Sequence, residues 1–179
     1  MIFGSNPNVS NYFLIKKELL NIKILSFDQS TSSTGYAILG ITSNDIKLKE
    51  YGLIEQKSKD KDKLTKMMRQ ICELICTHAP DYVVIEDTFM SINTTSLKEL
   101  CKLQGAIIYQ CSINNIPITI YFPTHWRKCV GFEKVKGLKR PELKEKSKEL
   151  VFNKFNIQVQ DDISDAICIG MAYAIENLL

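Results

Sequence analysis

Two short, largely apolar runs in this sequence each end at an acidic residue, and this feature limits the possible fold most. Residues 22–27 are followed by Asp28, and residues 82–85 are followed by Glu86. Runs of this length and composition are typical of strands buried in a sheet. A carboxylate at the end of a buried strand is costly unless it binds a cation or faces solvent. We therefore predict a sheet whose strand ends carry a charged site.

The rest of the chain predicts an α/β fold around that sheet. Strand patterns at residues 35–39 and 46–55 follow the first strand and are separated from it by turn residues, which predicts an antiparallel meander. Helical and strand patterns then alternate. The predicted helices span 61–78, 94–114, 123–130, 141–155 and a last segment from 161, and the later strands span 82–85 and 118–121. The expected architecture is a mixed five-stranded sheet, with three antiparallel meander strands and two parallel strands, flanked by helices.

Length and composition indicate one globular domain. The chain has 179 residues, of which 45% are hydrophobic, and a net charge of +3 that is compatible with a nucleic-acid partner without arguing for one. We predict an N-terminal extension over residues 1–21 and the folded domain over residues 22–179. Neither a membrane-spanning run nor a signal peptide is recognisable, so we expect a soluble cytoplasmic protein without membrane contact.

A third group of acidic residues opens the last predicted helix. Asp162 and Asp165 are three residues apart, so both lie on one helical face and can point at the strand ends. With Asp28 and Glu86 they form a four-carboxylate set that suits hard divalent cations. Asp161 is adjacent and is the alternative partner of Asp165, although we predict it to be the helix N-cap.

This carboxylate set predicts metal-dependent phosphodiester chemistry. Two magnesium ions, for which manganese can substitute, can bind the attacking and leaving oxygens of a phosphodiester, so no nucleophilic side chain or small-molecule cofactor is needed. The six cysteines form no CxxC pair and only two histidines are present, His78 and His125, so no zinc site with a full set of closely spaced ligands is predicted. We interpret the cysteines as small buried thiols.

Three segments resemble the RuvC-type Holliday junction resolvases of the RNase H-like superfamily. The first is ILSFDQSTSSTGYAIL, with Asp28 followed by Thr34 and Gly35; the second is VVIEDTFM, with Glu86; the third is DDISDAICIGMAYA, with Asp162 and Asp165 in a D-x-x-D-A pattern. The similarity runs from about residue 22 to the end. The segments DQST and FPTHWRKCVG are most similar to the resolvases of the phage branch.

The resemblance implies an RNase H-like fold, a homodimer and two magnesium ions at each active site. It implies that Asp28, Glu86, Asp162 and Asp165 are the catalytic metal ligands, and that two strands of a four-way DNA junction are nicked symmetrically. It also implies that the helix over residues 94–114 forms the dimer interface, although its apolar face would equally suit the core.

Several residues are predicted to contact DNA. By resemblance, Phe89 stacks on bases at the junction centre, and the alternative is that it lies in the core or the dimer interface. Basic residues between positions 127 and 144 are predicted to bind backbone phosphates, which sets affinity without reading sequence. They are Arg127, Lys128, Lys134, Lys136, Lys139, Arg140 and Lys144. We interpret Trp126 as a packing anchor, and His125 is a candidate for acid–base chemistry.

Other functions are compatible with parts of the pattern. An actin-like ATPase or sugar kinase also begins with a strand, an aspartate and a turn of small residues, but this chain has no Gly-Gly pair for a nucleotide motif. A non-catalytic module that binds branched DNA is disfavoured because all four carboxylates are present. A related nuclease acting on RNA–DNA hybrids or replication forks remains an alternative.

Overall fold

The computed structural model describes residues 21–43, 45–57, 61–88, 94–132 and 138–179. Its centre is a five-stranded sheet in the order β3-β2-β1-β4-β5. The strands are β1 (Ile22–Asp28), β2 (Ser33–Thr42), β3 (Asp45–Glu55), β4 (Tyr82–Glu86) and β5 (Ile118–Tyr121). The helices are α1 (Lys63–His78), α2 (Thr94–Ile113), α3 (Pro123–Cys129), α4 (Arg140–Phe155) and α5 (Asp161–Asn177).

The sheet has the predicted mixed topology. β1, β2 and β3 are antiparallel neighbours, whereas β4 runs parallel to both β1 and β5. Residues 83–85 of β4 are fully buried, as expected for a strand covered on both faces. The predicted fold class is therefore confirmed, and the strand that carries Glu86 lies directly beside the strand that carries Asp28.

Alternating side chains of the strands divide the core between the two sheet faces. Ile24 of β1 packs on the face covered by α5, whereas Leu25 and Phe27 pack on the face covered by α1 and α2. Residues 163–174 of α5 are buried along more than three turns and on all sides. A helix that is apolar all round belongs in the interior, so α5 is the central helix of its layer.

Small residues bring α5 unusually close to the sheet. A Cβ atom on Gly170 would lie 2.6 Å from Ser26 Oγ of β1, so any larger residue would push the helix outward. The hydroxyl of Ser26 is fully buried and donates to the carbonyl of Ala166 at 2.7 Å. This satisfies a polar group that burial would otherwise leave unpaired.

Some local predictions were wrong. Helical spacing predicts that one side of α2 carries Leu97, Leu100, Cys101, Gln104, Ile107 and Ile108. Of these Ile107 alone is buried, and the other buried residues of the helix are Leu103 and Cys111. β2 extends over ten residues instead of five. Only two of the six cysteines are buried, while two are half-buried and two are exposed. In the part of the chain that the structure describes, no helix is long and apolar enough to cross a membrane.

Candidate active site

The four predicted carboxylates lie around one cleft of about 510 Å³. Asp28 is the last residue of β1 and Glu86 is the last residue of β4. Because the two strands are parallel and Phe27 pairs with Ile85, their carboxyl ends reach the same edge of the sheet. Asp162 and Asp165, on the first two turns of α5, line the same cleft.

The loop after β1 and the start of β2 fix this arrangement. Thr34 is fully buried, and its hydroxyl donates to the carbonyl of Ser30 at 2.7 Å and accepts from the Ser30 N–H at 3.0 Å. Gly35 pairs with Asp28 across β1 and β2. A Cβ atom on Gly35 would lie 1.9 Å from the carbonyl oxygen of Asp162. Glycine at this position therefore allows the first turn of α5 to reach the strand ends.

The electrostatics of the cleft are those of an acidic site without enough neutralising charge. Burial, together with the negative charges of Asp165, Glu86 and Asp162, raises the pKa of Asp28 well above its ordinary value. Burial also raises the pKa of Glu86 and of Asp165. Bound cations would relieve the repulsion among these groups. An all-oxygen donor set of this kind fits magnesium or manganese.

Glu86 is held by contacts that the sequence did not reveal. The indole N–H of Trp126 donates to Glu86 Oε2 at 2.6 Å, and Arg127 Nη2 lies 3.9 Å from the same oxygen. The Gln29 amide donates to the backbone carbonyl of Glu86 at 2.7 Å. Trp126 is fully buried, as predicted for a packing anchor, but it also orients a carboxylate. The sequence signal for this second role is the position of Trp126 next to Arg127, shortly after the fifth strand.

The neighbours Asp161 and Asp162 have different surroundings. Asp162 lines the cleft and accepts a hydrogen bond from Ser33 Oγ at 2.6 Å. Asp161 lies 2.6 Å from Lys148 Nζ and 2.9 Å from Lys144 Nζ, and hydrogen bonds from these two lysines lower its pKa. The predicted N-cap role of Asp161 was wrong, because α5 begins at Asp161 and Gln160 precedes it as the cap residue.

The predicted DNA-contact residues fall into three groups. Arg127, Arg140 and Lys144 line the cleft beside the carboxylates. Lys128 and Lys139 are exposed and are absent from the residues that line it. Phe89, Lys134 and Lys136 lie outside the described residues.

The contacts of His125 lie away from the carboxylate cleft. It is not among the residues that line the cleft, and its Nε2 atom lies 2.9 Å from Glu176 Oε1 near the other end of α5. The geometry therefore gives no support to a role for His125 in acid–base chemistry at this site.

Comparison with known proteins identifies the family. Residues 24–173 match the family model described as "Crossover junction endodeoxyribonuclease RuvC". The chain belongs to the RuvC family. RuvC of Brachyspira hyodysenteriae is 30% identical over 155 residues, which cover 86% of this chain and 94% of that protein. RuvC of Caldicellulosiruptor saccharolyticus is 26% identical over 160 residues, which cover 87% and 94% of the two chains.

A solved structure agrees on the fold. The structure of T. thermophilus RuvC in complex with a Holliday junction substrate superimposes with a TM-score of 0.70 at 12% identity, covering 86% of this chain and 93% of that chain. The predicted RNase H-like architecture is thus confirmed, and so is the predicted enzyme class, a crossover junction endodeoxyribonuclease and hydrolase. Enzymes of the RuvC family are metal-dependent. Assignment to the phage branch stays a prediction.

Proposed function

We propose that this chain resolves four-way DNA junctions by hydrolysing phosphodiester bonds in the carboxylate cleft. The observation that carries the proposal is the meeting of Asp28, Glu86, Asp162 and Asp165 around one cleft in a member of the RuvC family. T. thermophilus RuvC, which has the same fold, was solved in complex with a Holliday junction substrate. We place the catalytic reaction at these four residues.

Magnesium is the cofactor that best suits the cleft. The four carboxylates would hold it. Gln29 also lines the cleft, and its buried side-chain oxygen has no hydrogen-bond partner among the described residues. Two bound ions would supply an activated water and stabilise the negative charge on the leaving oxygen. Manganese has the same preference for oxygen ligands and would substitute.

The surrounding side chains position the carboxylates and the substrate. Trp126 fixes one oxygen of Glu86, and Ser33 fixes one oxygen of Asp162, so both acids present their other oxygen in a defined direction. Arg127, Arg140 and Lys144 place positive charge along the cleft. We propose that these three bind the phosphates on either side of the scissile bond.

We further propose that the active enzyme is a homodimer that contacts itself through α2. The outer face of this helix exposes three apolar side chains, Ile108, Tyr109 and Ile113, of which Tyr109 is 66% exposed. A second subunit would bury this surface and would bring two clefts to one junction, as symmetric nicking requires. Phe89, Lys128, Lys134, Lys136 and Lys139 are proposed to add DNA contacts.

Substitution of Asp28 tests the assignment of the active site. We expect Asp28→Asn to bind a labelled four-way junction as wild type does but to lose cleavage with either magnesium or manganese. Asp45→Asn is the matched control, because Asp45 begins β3, pairs with Lys154 and is not among the residues that line the cleft. Cleavage by Asp28→Asn at the wild-type rate, or equal loss in both variants, would refute the assignment.

A substrate panel separates this function from its alternatives. We expect magnesium-dependent cleavage of four-way junctions in preference to flaps, plain duplex and RNA–DNA hybrid, and no cleavage after EDTA treatment. Preference for the hybrid would indicate a related nuclease. ATP hydrolysis by the purified protein would favour the actin-like alternative, which family membership disfavours. Junction binding without any cleavage would favour the non-catalytic module.

A further inference from the structure

A second group of potential metal ligands lies at the end of α5 opposite the catalytic aspartates. It consists of His125 and Cys129 of α3 and Glu176 of α5, whose ligand atoms all lie within 4.8 Å of one another. In the part of the chain that the structure describes, it is the one group of three or more such residues that meets this distance. We call these three residues the α3–α5 cluster.

The spacing and chemistry of the α3–α5 cluster fit a transition metal. His125 and Cys129 are four residues apart on a helix, so their side chains share one face. Ligand atoms around tetrahedral zinc lie roughly 3.3–3.6 Å apart, as follows from typical Zn–N and Zn–S bond lengths. The His125 and Glu176 side chains are 46% and 37% exposed, so both can rotate by the small amount required.

Neighbouring side chains hold the cluster in place. The Tyr121 hydroxyl donates to Glu176 Oε2 at 2.5 Å, which leaves Oε1 directed at His125. The Tyr121 ring also stacks on the His125 imidazole, with centroids 4.9 Å apart and an interplanar angle of 19°. Asn177 donates to the Tyr121 hydroxyl at 3.2 Å. Such supporting contacts to ligating histidines and carboxylates are a regular feature of protein metal sites.

We propose that the α3–α5 cluster binds one zinc ion through nitrogen, sulfur and oxygen, with water as the fourth ligand. The donor set selects zinc because thiolate and imidazole favour it over magnesium. The catalytic carboxylates offer oxygen alone and therefore make a different kind of site. The zinc ion joins α3 to α5, and α3 also carries Trp126 and Arg127, which contact Glu86.

Cobalt reports on this site separately from the catalytic cleft. A Co²⁺ ion bound by a thiolate gives an intense sulfur-to-metal charge-transfer band in the near ultraviolet, which oxygen ligands alone do not give. After EDTA treatment and removal of the chelator, we expect one equivalent of Co²⁺ to produce this band. We expect Zn²⁺ at one equivalent to abolish it and a large excess of Mg²⁺ to leave it unchanged.

Variants assign the band to particular residues. Cys129→Ser should remove it, and His125→Gln and Glu176→Gln should each weaken Co²⁺ binding at least tenfold. Cys76→Ala is the control, because Cys76 is likewise a helical cysteine, is more exposed than Cys129 and lies on α1. Asp28→Asn should leave the band intact. Asp28→Asn therefore distinguishes the zinc site from the proposed function, because it should stop cleavage in the carboxylate cleft without changing Co²⁺ binding at the α3–α5 cluster.

Two results would overturn the proposal. The first is the absence of the charge-transfer band in the wild-type protein, which would leave His125 and Glu176 as a surface ion pair. The second is a band that survives Cys129→Ser and disappears in Cys76→Ala. Thermal unfolding gives an independent measurement, because one equivalent of Zn²⁺ should raise the melting temperature of wild type and of Cys76→Ala but not that of Cys129→Ser.

Discussion

Replacing Trp126 by phenylalanine removes the one side-chain hydrogen bond that the Glu86 carboxylate accepts among the described residues. The donor and acceptor are 2.6 Å apart, and the indole is fully buried. A hydrogen bond to a charged group contributes about 1.5–3 kcal/mol. If this contribution is present when Glu86 acts, Trp126→Phe should slow junction cleavage roughly ten- to hundredfold at limiting magnesium.

The same substitution should change the pH dependence. Burial raises the pKa of Glu86, whereas the hydrogen bond from Trp126 and the charge of Arg127 oppose that rise. Without the indole donor the pKa rises further, so a larger share of Glu86 is protonated at a given pH. The acid limb of the pH–rate profile should therefore move to higher pH, by up to about one to two units for the energy above.

The control must lose packing at Trp126 without losing its hydrogen bond. Phe132→Leu meets this need, because the Phe132 ring packs edge-on against Trp126 at 6.1 Å between centroids. Both variants are measured in single-turnover cleavage of a labelled junction across pH, at a temperature where urea titration shows both folded. Equal rates and equal acid limbs in the two variants would show that the hydrogen bond to Glu86 has no role in catalysis.

Other predictions address the approach of α5, the charge of the cleft and the junction contact. In urea titrations, Gly35→Ala should lower the free energy of unfolding by about 1–3 kcal/mol or more, because its Cβ meets the Asp162 backbone. Gly105→Ala is the control at an exposed position of α2, where the new Cβ meets nothing within 4 Å, and it should raise the free energy of unfolding by about 0.4–1 kcal/mol. The pKa of Asp28 is raised in the folded state, so protonated Asp28 stabilises the wild-type fold at low pH and this stability is lost as the pH rises. In chelator, the free energy of unfolding of Asp28→Asn should therefore increase relative to that of wild type between acid and neutral pH. Magnesium should reduce this difference. Phe89→Ala should cleave four-way junctions poorly while its circular dichroism stays unchanged; wild-type turnover would remove its proposed stacking role.

The sequence predicted most of the fold because its strong signals are local. Residues 82–85 are continuously apolar, and this pattern correctly indicated a strand covered on both faces. The face of α2 was misjudged because nearly every turn of that helix carries apolar residues, several of which, such as Tyr109, are exposed. Periodicity alone does not say which of two apolar faces meets the sheet.

For the site, the sequence predicted the charges but not their supports. Asp28 and Glu86 follow apolar runs, and the spacing of three residues favoured Asp162 over Asp161. The contacts from Ser33 to Asp162 and from Trp126 to Glu86 join residues 129 and 40 positions apart, and no short motif links them. The α3–α5 cluster was missed for the same reason, since Glu176 lies on another helix than His125 and Cys129.

α5 connects the carboxylate cleft to the α3–α5 cluster, and it packs closely on the sheet between them. Its first turns place Asp162 and Asp165 in the cleft, and its last turn places Glu176 beside α3. Gly35 and Gly170 leave no space for larger side chains between the helix and the sheet, so α5 cannot move outward at one end without losing contacts along its length. A zinc ion at the α3–α5 cluster would hold α3 against this fixed helix and so maintain the position of Trp126. We therefore expect the position of the Glu86 carboxylate to depend on packing that begins at the far end of α5.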